Sequence, residues 1–358
     1  MPNASCSPYR VLVVDDSPFI RRVVRDVIAG APDFQVVGEA GDGHEAIGQV
    51  HALAPDIVTL DVRMPGLDGL SALGYLMSEA PCPVVMLSAL DDGGDTTMRA
   101  LELGAVDFVR KPSQGDSLDL ATLRERLLGA LRTAMLARYR SVPVLARARG
   151  APPRPPAAGE GKGATHVVVV AASTGGPRAL AEIIPSLPPM RAAVVVAQHM
   201  PSGFTESLAR RLDTLAAMPV REARDEEALV GGCIYVAPGG RHTTIEGPTS
   251  APRLRVRSGF PVHGVAPAAD LLFASAAEVF AARSVAAVLT GMGHDGAAGA
   301  RRVRDAGGIV VVQDESTSIV FGMPQAALAA AHEVASLSGL AAAISRALRS
   351  RGCEMSDA

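Results

Sequence analysis

Between residues 11 and 109, short apolar runs alternate with stretches whose apolar positions recur every three or four residues. The runs at 11–14, 35–40, 56–60, 83–87 and 106–109 read as strands, the most apolar of them buried on both faces. Ser17-Pro18 opens an amphipathic helix reaching about residue 28, and 43–53 reads as a second helix. Helical periodicity over 118–139 closes this part of the chain. Five rounds of strand then helix predict a parallel sheet covered on both faces.

The pattern lapses over 140–164, where Pro, Gly and Arg dominate. The segment 151–163 cannot form a helix or a central strand and reads as a partly stiff tether. Arg138, Arg140, Arg147, Arg149 and Arg154 in or beside it are expected to be solvated. The rhythm resumes at 167–172, four valines and two alanines, and again at 192–197, 285–289 and 308–313. Helices are predicted at 178–185, from 204, at 268–282 and at 340–348, with short strands and turns across 219–257. The expected organisation is two α/β domains, 1–139 and 165–350, joined by a linker at 140–164 and ending in a frayed tail at 351–358. The second is expected to be doubly wound and mostly parallel, with a small β insertion.

Composition narrows the function classes. A chain of 358 residues, 48% hydrophobic, suffices for two cores. The net charge of −3 argues against a nucleic-acid partner. Cys6, Cys82, Cys233 and Cys353 are scattered without a Cys-x-x-Cys pair, which predicts reduced thiols in a cytoplasmic protein. There is no basic-then-apolar leader and no stretch apolar enough to span a bilayer, so no direct membrane insertion is expected.

Polar residues of the first domain gather at strand ends. Asp15, Asp16, Asp61, Ser88 and Lys111 each fall at or just past the carboxyl end of a strand, the edge where open α/β sheets bind ligands. Three carboxylates there would repel one another unless a cation joins them, and Mg²⁺ suits such oxygen ligands. Any one of these residues alone would read as turn chemistry. The stretches Val13-Val14-Asp15-Asp16-Ser17, Asp61 to Gly69, Ser88-Ala89 and Asp107 to Pro112 resemble response-regulator receiver domains. The resemblance implies a flavodoxin-like fold of five parallel strands. It implies that Asp61 takes a phosphoryl group from a histidine kinase, and that Asp15, Asp16 and Asp61, with the Arg63 backbone carbonyl, hold Mg²⁺. Ser88, Lys111 and Phe108 would form the phosphoryl switch. Arg63 stands where relatives often carry an acidic residue.

In the second domain the apolar run 167–172 stops at Ser173, followed by Thr174-Gly175-Gly176-Pro177. The glycines permit a sharp turn and Pro177 suits the first turn of a helix, whose free amides face Ser173. His199 and Asp295 also follow strands. In a parallel sheet these three ends share one rim, and a serine nucleophile needs a histidine base oriented by a carboxylate. The amides of Met292 and Thr174 are the candidate oxyanion donors. Equally, Ser173 and Asp295 could be helix caps, and His242, His263 and His294 are rival bases. The α/β-hydrolase elbow is only half matched, because Ala171 replaces its first glycine, and the order Ser, His, Asp differs from that fold.

Ala172 to Gly176, Gln198-His199-Met200-Pro201, Ala237 to His242, Leu289 to Gly296 and Phe321-Gly322-Met323-Pro324 resemble the catalytic domain of the chemotaxis protein-glutamate methylesterases. The resemblance implies Ser173 as nucleophile, His199 as base and Asp295 as orienting acid, with no cofactor for the ester chemistry. The substrates would be glutamyl methyl esters on cytoplasmic helices of chemoreceptors, with glutamine deamidation as a second activity. Residues 261–270 depart from the family: Val265 and Ala266 replace a basic pair, so substrate choice is expected to differ. Phosphorylation would expose Ser173 by loosening a docked receiver. A non-catalytic signalling adaptor is the opposing reading.

Overall fold

The structure, a computed structural model, describes residues 7–88, 94–111, 120–136 and 163–355. The chain divides into two compact units, Met1–Ala146 and Arg147–Ala358. Most of the expected linker and all of its arginines lie outside the described residues, as do Cys6, Ala89 and Pro112. Cys82, Cys233 and Cys353 are free thiols.

In the first unit β1 (Tyr9–Val14), β2 (Phe34–Ala40), β3 (Ile57–Asp61), β4 (Val84–Ser88) and β5 (Asp107–Arg110) form one parallel sheet in the order β2-β1-β3-β4-β5. The intervening helices are α1 (Pro18–Ala29), α2 (Gly43–Leu53), α3 (Gly69–Glu79) and α4 (Gly94–Leu103), and α5 (Leu120–Leu136) follows β5. Ser17 caps α1 by accepting the Ile20 N–H, with Pro18 in the first turn, as the sequence predicts. The chain leaves β1 toward β2 and then returns to the other side. The crevice therefore opens between β1 and β3, at the strand ends carrying Asp15 and Asp61.

The main sheet of the second unit has seven strands, all parallel, in the order β14-β13-β12-β6-β7-β9-β8. Its centre is β6 (His166–Ala172), flanked by β7 (Ala192–Gln198) and β12 (Ser284–Val288). All three are buried along their whole length, which is why they read as continuous apolar runs. Each fully buried valine there contributes about 1.5–3 kcal/mol relative to exposure. Outward lie β9 (Ile234–Val236) and β8 (Val220–Glu222) on one side, and β13 (Ile309–Gln313) and β14 (Glu333–Ala335) on the other. The expected β insertion is the antiparallel pair β10 (His242–Glu246) and β11 (Arg253–Arg257).

The helices are α6 (Gly176–Ile183), α7 (Thr205–Asp213), α8 (Ala269–Phe280), α9 (Ala297–Asp305), α10 (Gly322–Ala327) and α11 (Leu337–Ser350). The sequence pattern did not predict α9, α10 or β14. α9 carries four charged side chains in nine residues, and β14 is a three-residue edge strand whose Val334 is half exposed, so neither shows a full apolar period. Here the switch point falls between β6 and β12, beside Ser173 and the turn that carries Asp295. Among the described residues no helix is long and apolar enough to cross a membrane.

Candidate active site

Ser173 stands between the end of β6 and the start of α6, its backbone held from both sides. Its N–H donates to the Thr290 carbonyl (3.0 Å), and its carbonyl accepts the Gly176 N–H (2.7 Å) and Gln198 Nε2 (2.9 Å). α6 is capped by Gly175 at φ 78° without a side-chain bond, so the Ser173 hydroxyl is not a helix cap. Gly291 lies against it. A Cβ there would fall 2.7 Å from Ser173 Cβ and 2.3 Å from Met323 Sδ, so only glycine lets the two loops approach this closely.

His199 begins where β7 ends. Its N–H donates to the Ala172 carbonyl at 3.0 Å, which extends the β6–β7 pairing and brings His199 beside Ser173. Its Nε2 bonds Asp295 Oδ2 at 2.8 Å, with the two side chains 9% and 3% exposed. An ionised carboxylate only accepts, so Nε2 carries the hydrogen and Nδ1 is left to receive a proton. The usual hydrolase triad uses the ring the other way round. Ser173 Oγ has no hydrogen-bond partner among the described residues, so serine and histidine are neighbours without a bond between them. Such bonds are often loose in unliganded sites and tighten around substrate.

Asp295 is the most heavily bonded member. Oδ2 accepts the Ala269 N–H at 2.6 Å besides His199, and Oδ1 accepts the N–H groups of Asp270 and Gly296, each at 3.0 Å. The residue before α8 is Ala268, which offers no capping side chain. Asp295 therefore caps α8 from across the fold while it holds His199, so the two readings of this residue are not exclusive. Burial alone would raise its pKa. The His199 bond and the amides of Asp270 and Ala269 outweigh burial and hold the carboxyl below its ordinary value.

The rival histidines are engaged elsewhere. His242 is buried, with Nε2 on the Phe260 carbonyl (3.0 Å) and Nδ1 accepting the Ala268 N–H (3.2 Å), which makes it a pin for the loop before α8. His263 and His294 bond each other rather than Asp295. Of the expected oxyanion donors, the Thr174 N–H has no acceptor among the described residues, and Met292 is half exposed on the turn after β12. The Thr174 carbonyl accepts from Thr290 Oγ1 at 3.0 Å.

Sequence reasoning gave no role to Gln198 or Gln313. Gln198 Nε2 donates to the carbonyls of both Ser173 (2.9 Å) and His199 (3.2 Å). Gln313 Oε1 accepts the Thr290 N–H at 2.8 Å. The signal available was a polar amide closing an otherwise apolar buried strand, at Gln198 in β7 and Gln313 in β13.

In the first unit, carboxylate oxygens of Asp15, Asp16 and Asp61 lie within 4.8 Å of one another. Lys111 Nζ stands 2.7 Å from Asp15 Oδ2 and 2.6 Å from Asp61 Oδ1. Burial pushes Asp61 up to about 6 against the pull of the Lys111 hydrogen bond, and the Asp15 charge adds to the rise. Asp15 is likewise raised by burial. Burial lowers the basicity of Lys111, but its bonds to Asp15 and Asp61 outweigh that and raise its pKa. An oxygen-only donor set with this negative charge fits a hard divalent cation. The Arg63 side chain is exposed, and its N–H donates to Asp61 Oδ1 at 3.3 Å. Ser88 is fully buried with Oγ 3.3 Å from Thr97 Oγ1, and Phe108 is buried at 9% exposure.

Comparison with known proteins finds relatives of both units. Residues 168–344 match the family described as CheB methylesterase, and residues 11–122 match the response regulator receiver domain. The chain is 43% identical over 329 residues to a protein-glutamate methylesterase/protein-glutamine glutaminase of Pyrococcus horikoshii, covering 89% of this chain and 87% of that one. It is 44% identical over 363 residues to the protein of the same description from Symbiobacterium thermophilum, covering 95% and 97%. Among solved structures, the Thermotoga maritima CheB methylesterase catalytic domain is 39% identical with a TM-score of 0.49, covering 50% of this chain and 96% of that one.

Proposed function

The chain belongs to the CheB family, which joins a receiver domain to a methylesterase/glutaminase domain, and from that membership we propose how its residues divide the work. The substrates are glutamate methyl esters and glutamines on the cytoplasmic helices of chemoreceptors. Hydrolysis releases methanol from the former and ammonia from the latter, resetting the receptor for adaptation. The observation that carries the assignment of the site is the His199–Asp295 bond at the strand end next to Ser173.

Ser173 Oγ attacks the ester carbonyl and passes its proton to Nδ1 of His199, the nitrogen not held by Asp295. The imidazolium so formed is stabilised by the Asp295 carboxylate, and the tetrahedral oxyanion by the N–H groups of Thr174 and Met292. His199 returns the proton to the departing methoxide, which leaves as methanol. Water, deprotonated by the same ring, then cleaves the acyl-serine to glutamate and restores Ser173. A glutamine amide follows the same steps with ammonia leaving. Asp295, bonded to the α8 amides, keeps the imidazole in the required tautomer through both halves.

The receiver supplies control. Asp61 accepts the phosphoryl group from the histidine kinase. Asp15, Asp16 and Asp61, with the Arg63 carbonyl, would hold Mg²⁺, which when bound offsets the charge of the incoming phosphoryl group. Lys111 transfers its hydrogen bond to the phosphoryl oxygens, and Ser88 and Phe108 move with it. The two activities separate in one assay, methanol release from methylated receptor with and without a small phosphodonor. Ser173→Ala should lose release by at least about 10⁴-fold while Asp61 still takes the phosphoryl group. Equal wild-type rates with and without phosphodonor would refute phosphorylation control.

A further inference from the structure

Beside Asp295 runs a line of side chains that the proposed reaction does not use: Asp270, His263 and His294. His263 and Gly264 are the central residues of a hairpin turn closed by Val262 N–H to Val265 O (3.1 Å) and Val265 N–H to Val262 O (3.0 Å). Both have positive φ, 54° and 78°, as a type I′ turn requires. Asn-Gly is the favoured pair for such a turn, and histidine is, with asparagine and aspartate, among the side chains that enter the left-handed region most readily. The turn is thus built with an imidazole where asparagine is the favoured residue.

That imidazole is held in one orientation. Asp270 Oδ1 is fixed by the Gly299 N–H at 2.7 Å, and its Oδ2 accepts from His263 Nε2 at 3.0 Å. The hydrogen of the neutral ring therefore sits on Nε2 and the lone pair on Nδ1. Nδ1 faces His294 Nε2 at 3.1 Å, the rings meeting edge-on with centroids 4.4 Å apart. Two imidazole nitrogens bound to one tetrahedral Zn²⁺ stand about 3.3–3.4 Å apart, as metal–nitrogen bonds of about 2.0–2.1 Å require. The pair would separate by only a few tenths of an ångström to admit such an ion. His294 need only carry its own hydrogen on Nδ1.

We propose that His263 Nδ1 and His294 Nε2 bind a divalent transition-metal ion of the Zn²⁺, Ni²⁺ or Cu²⁺ class, with water completing its coordination. Asp270 is the carboxylate that orients His263, the arrangement that metal-binding histidines generally use. Asp295 lies near enough to His263 and Asp270 to be considered as a ligand. Its oxygens already accept three backbone N–H groups and the His199 bond, so it stays outside the coordination sphere. Nitrogen donors select against Mg²⁺ and Ca²⁺, which keeps this site distinct in chemistry from the carboxylate cluster of the receiver. The bound ion also has a consequence that rests on the esterase reading. Its positive charge, carried by the residue next to Asp295, opposes the charge that His199 acquires, so hydrolysis slows reversibly when the site fills.

The test is a Zn²⁺ titration of the full-length protein against a chromophoric chelator, with excess Mg²⁺ present to occupy the receiver cluster. Wild type is expected to bind one more Zn²⁺ than His263→Asn or His294→Ala. Asp270→Asn should weaken that site by about 10- to 100-fold, as loss of an orienting carboxylate does elsewhere. His263→Asn keeps the preferred turn residue, so its melting temperature should equal or exceed that of wild type. Methanol release measured in parallel should be inhibited by Zn²⁺ in wild type and not in His263→Asn. Equal Zn²⁺ stoichiometry and affinity in wild type and both histidine variants overturns the site. A His263-dependent Zn²⁺ site in a protein that releases no methanol would instead refute the esterase reading and leave the metal site standing.

Discussion

Gln198→Met separates positioning of the site from stability of the fold. Gln198 is 1% exposed, and its amide nitrogen bridges the carbonyls of Ser173 and His199, the proposed nucleophile and base. Its Oε1 is buried without a partner. Replacing the amide by a thioether of similar reach removes two N–H···O bonds, each contributing about 0.5–1.5 kcal/mol. The Ser173 carbonyl keeps the Gly176 N–H at 2.7 Å, so the His199 carbonyl bears the loss. Against this, the substitution removes the unpartnered Oε1, whose burial costs about 1–3 kcal/mol. The two effects nearly cancel, and the unfolding free energy should change by no more than about 1.5 kcal/mol. Catalysis has no such compensation, because a displacement of about 1 Å in a reacting group can cost about 100-fold. The expected result is a kcat lower by about 10- to 100-fold, about 1.4–2.7 kcal/mol in the barrier, with KM little changed. Methanol release from methylated receptor and a thermal melt of the same sample measure both quantities. A kcat within about twofold of wild type would refute the positioning role. A melting temperature that collapses along with kcat would show Gln198 to be a fold determinant instead.

Asp295→Asn should lower kcat by about 10⁴-fold by misassigning the His199 tautomer, and should also destabilise the second unit, because the new NH₂ group meets amide donors at the start of α8. The depressed pKa of Asp295 sets a direction with pH: its contribution to stability is present above the ordinary carboxyl value near 3.8 and is lost as pH falls through its lower folded value, which an acid titration of Asp295→Asn against wild type isolates. Asp61, raised to about 6, behaves oppositely; it is protonated below that pH, so phosphoryl uptake from a small donor at sub-saturating Mg²⁺ should fall about tenfold per pH unit below the midpoint. Gly69→Ala places a Cβ 1.8 Å from the Asp61 carbonyl oxygen, a backbone atom that cannot rotate away, and should abolish phosphorylation of Asp61 while leaving serine labelling of the second unit intact.

Much of this protein was legible from the order of its residues. A strand buried on both faces needs mostly apolar side chains along its length, so β6, β7 and β12, and β3 and β4 of the receiver, announce themselves. The end of such a strand is equally visible, so the sequence marked Asp61, Ser173, His199 and Asp295 as rim residues and its motifs placed the chain in its family. These are local properties, set by side-chain period and turn chemistry. Which nitrogen of His199 faces Asp295, and that His263 and His294 pair with each other, were decided only in three dimensions. So was the use of Asp295 as the missing cap of α8, across 26 residues of chain from Ala269, and the bridging of Ser173 and His199 by one amide. Hydrogen bonds between segments depend on how crossovers bring strand ends together, and a pattern with a period of two or 3.6 residues carries no record of that distance.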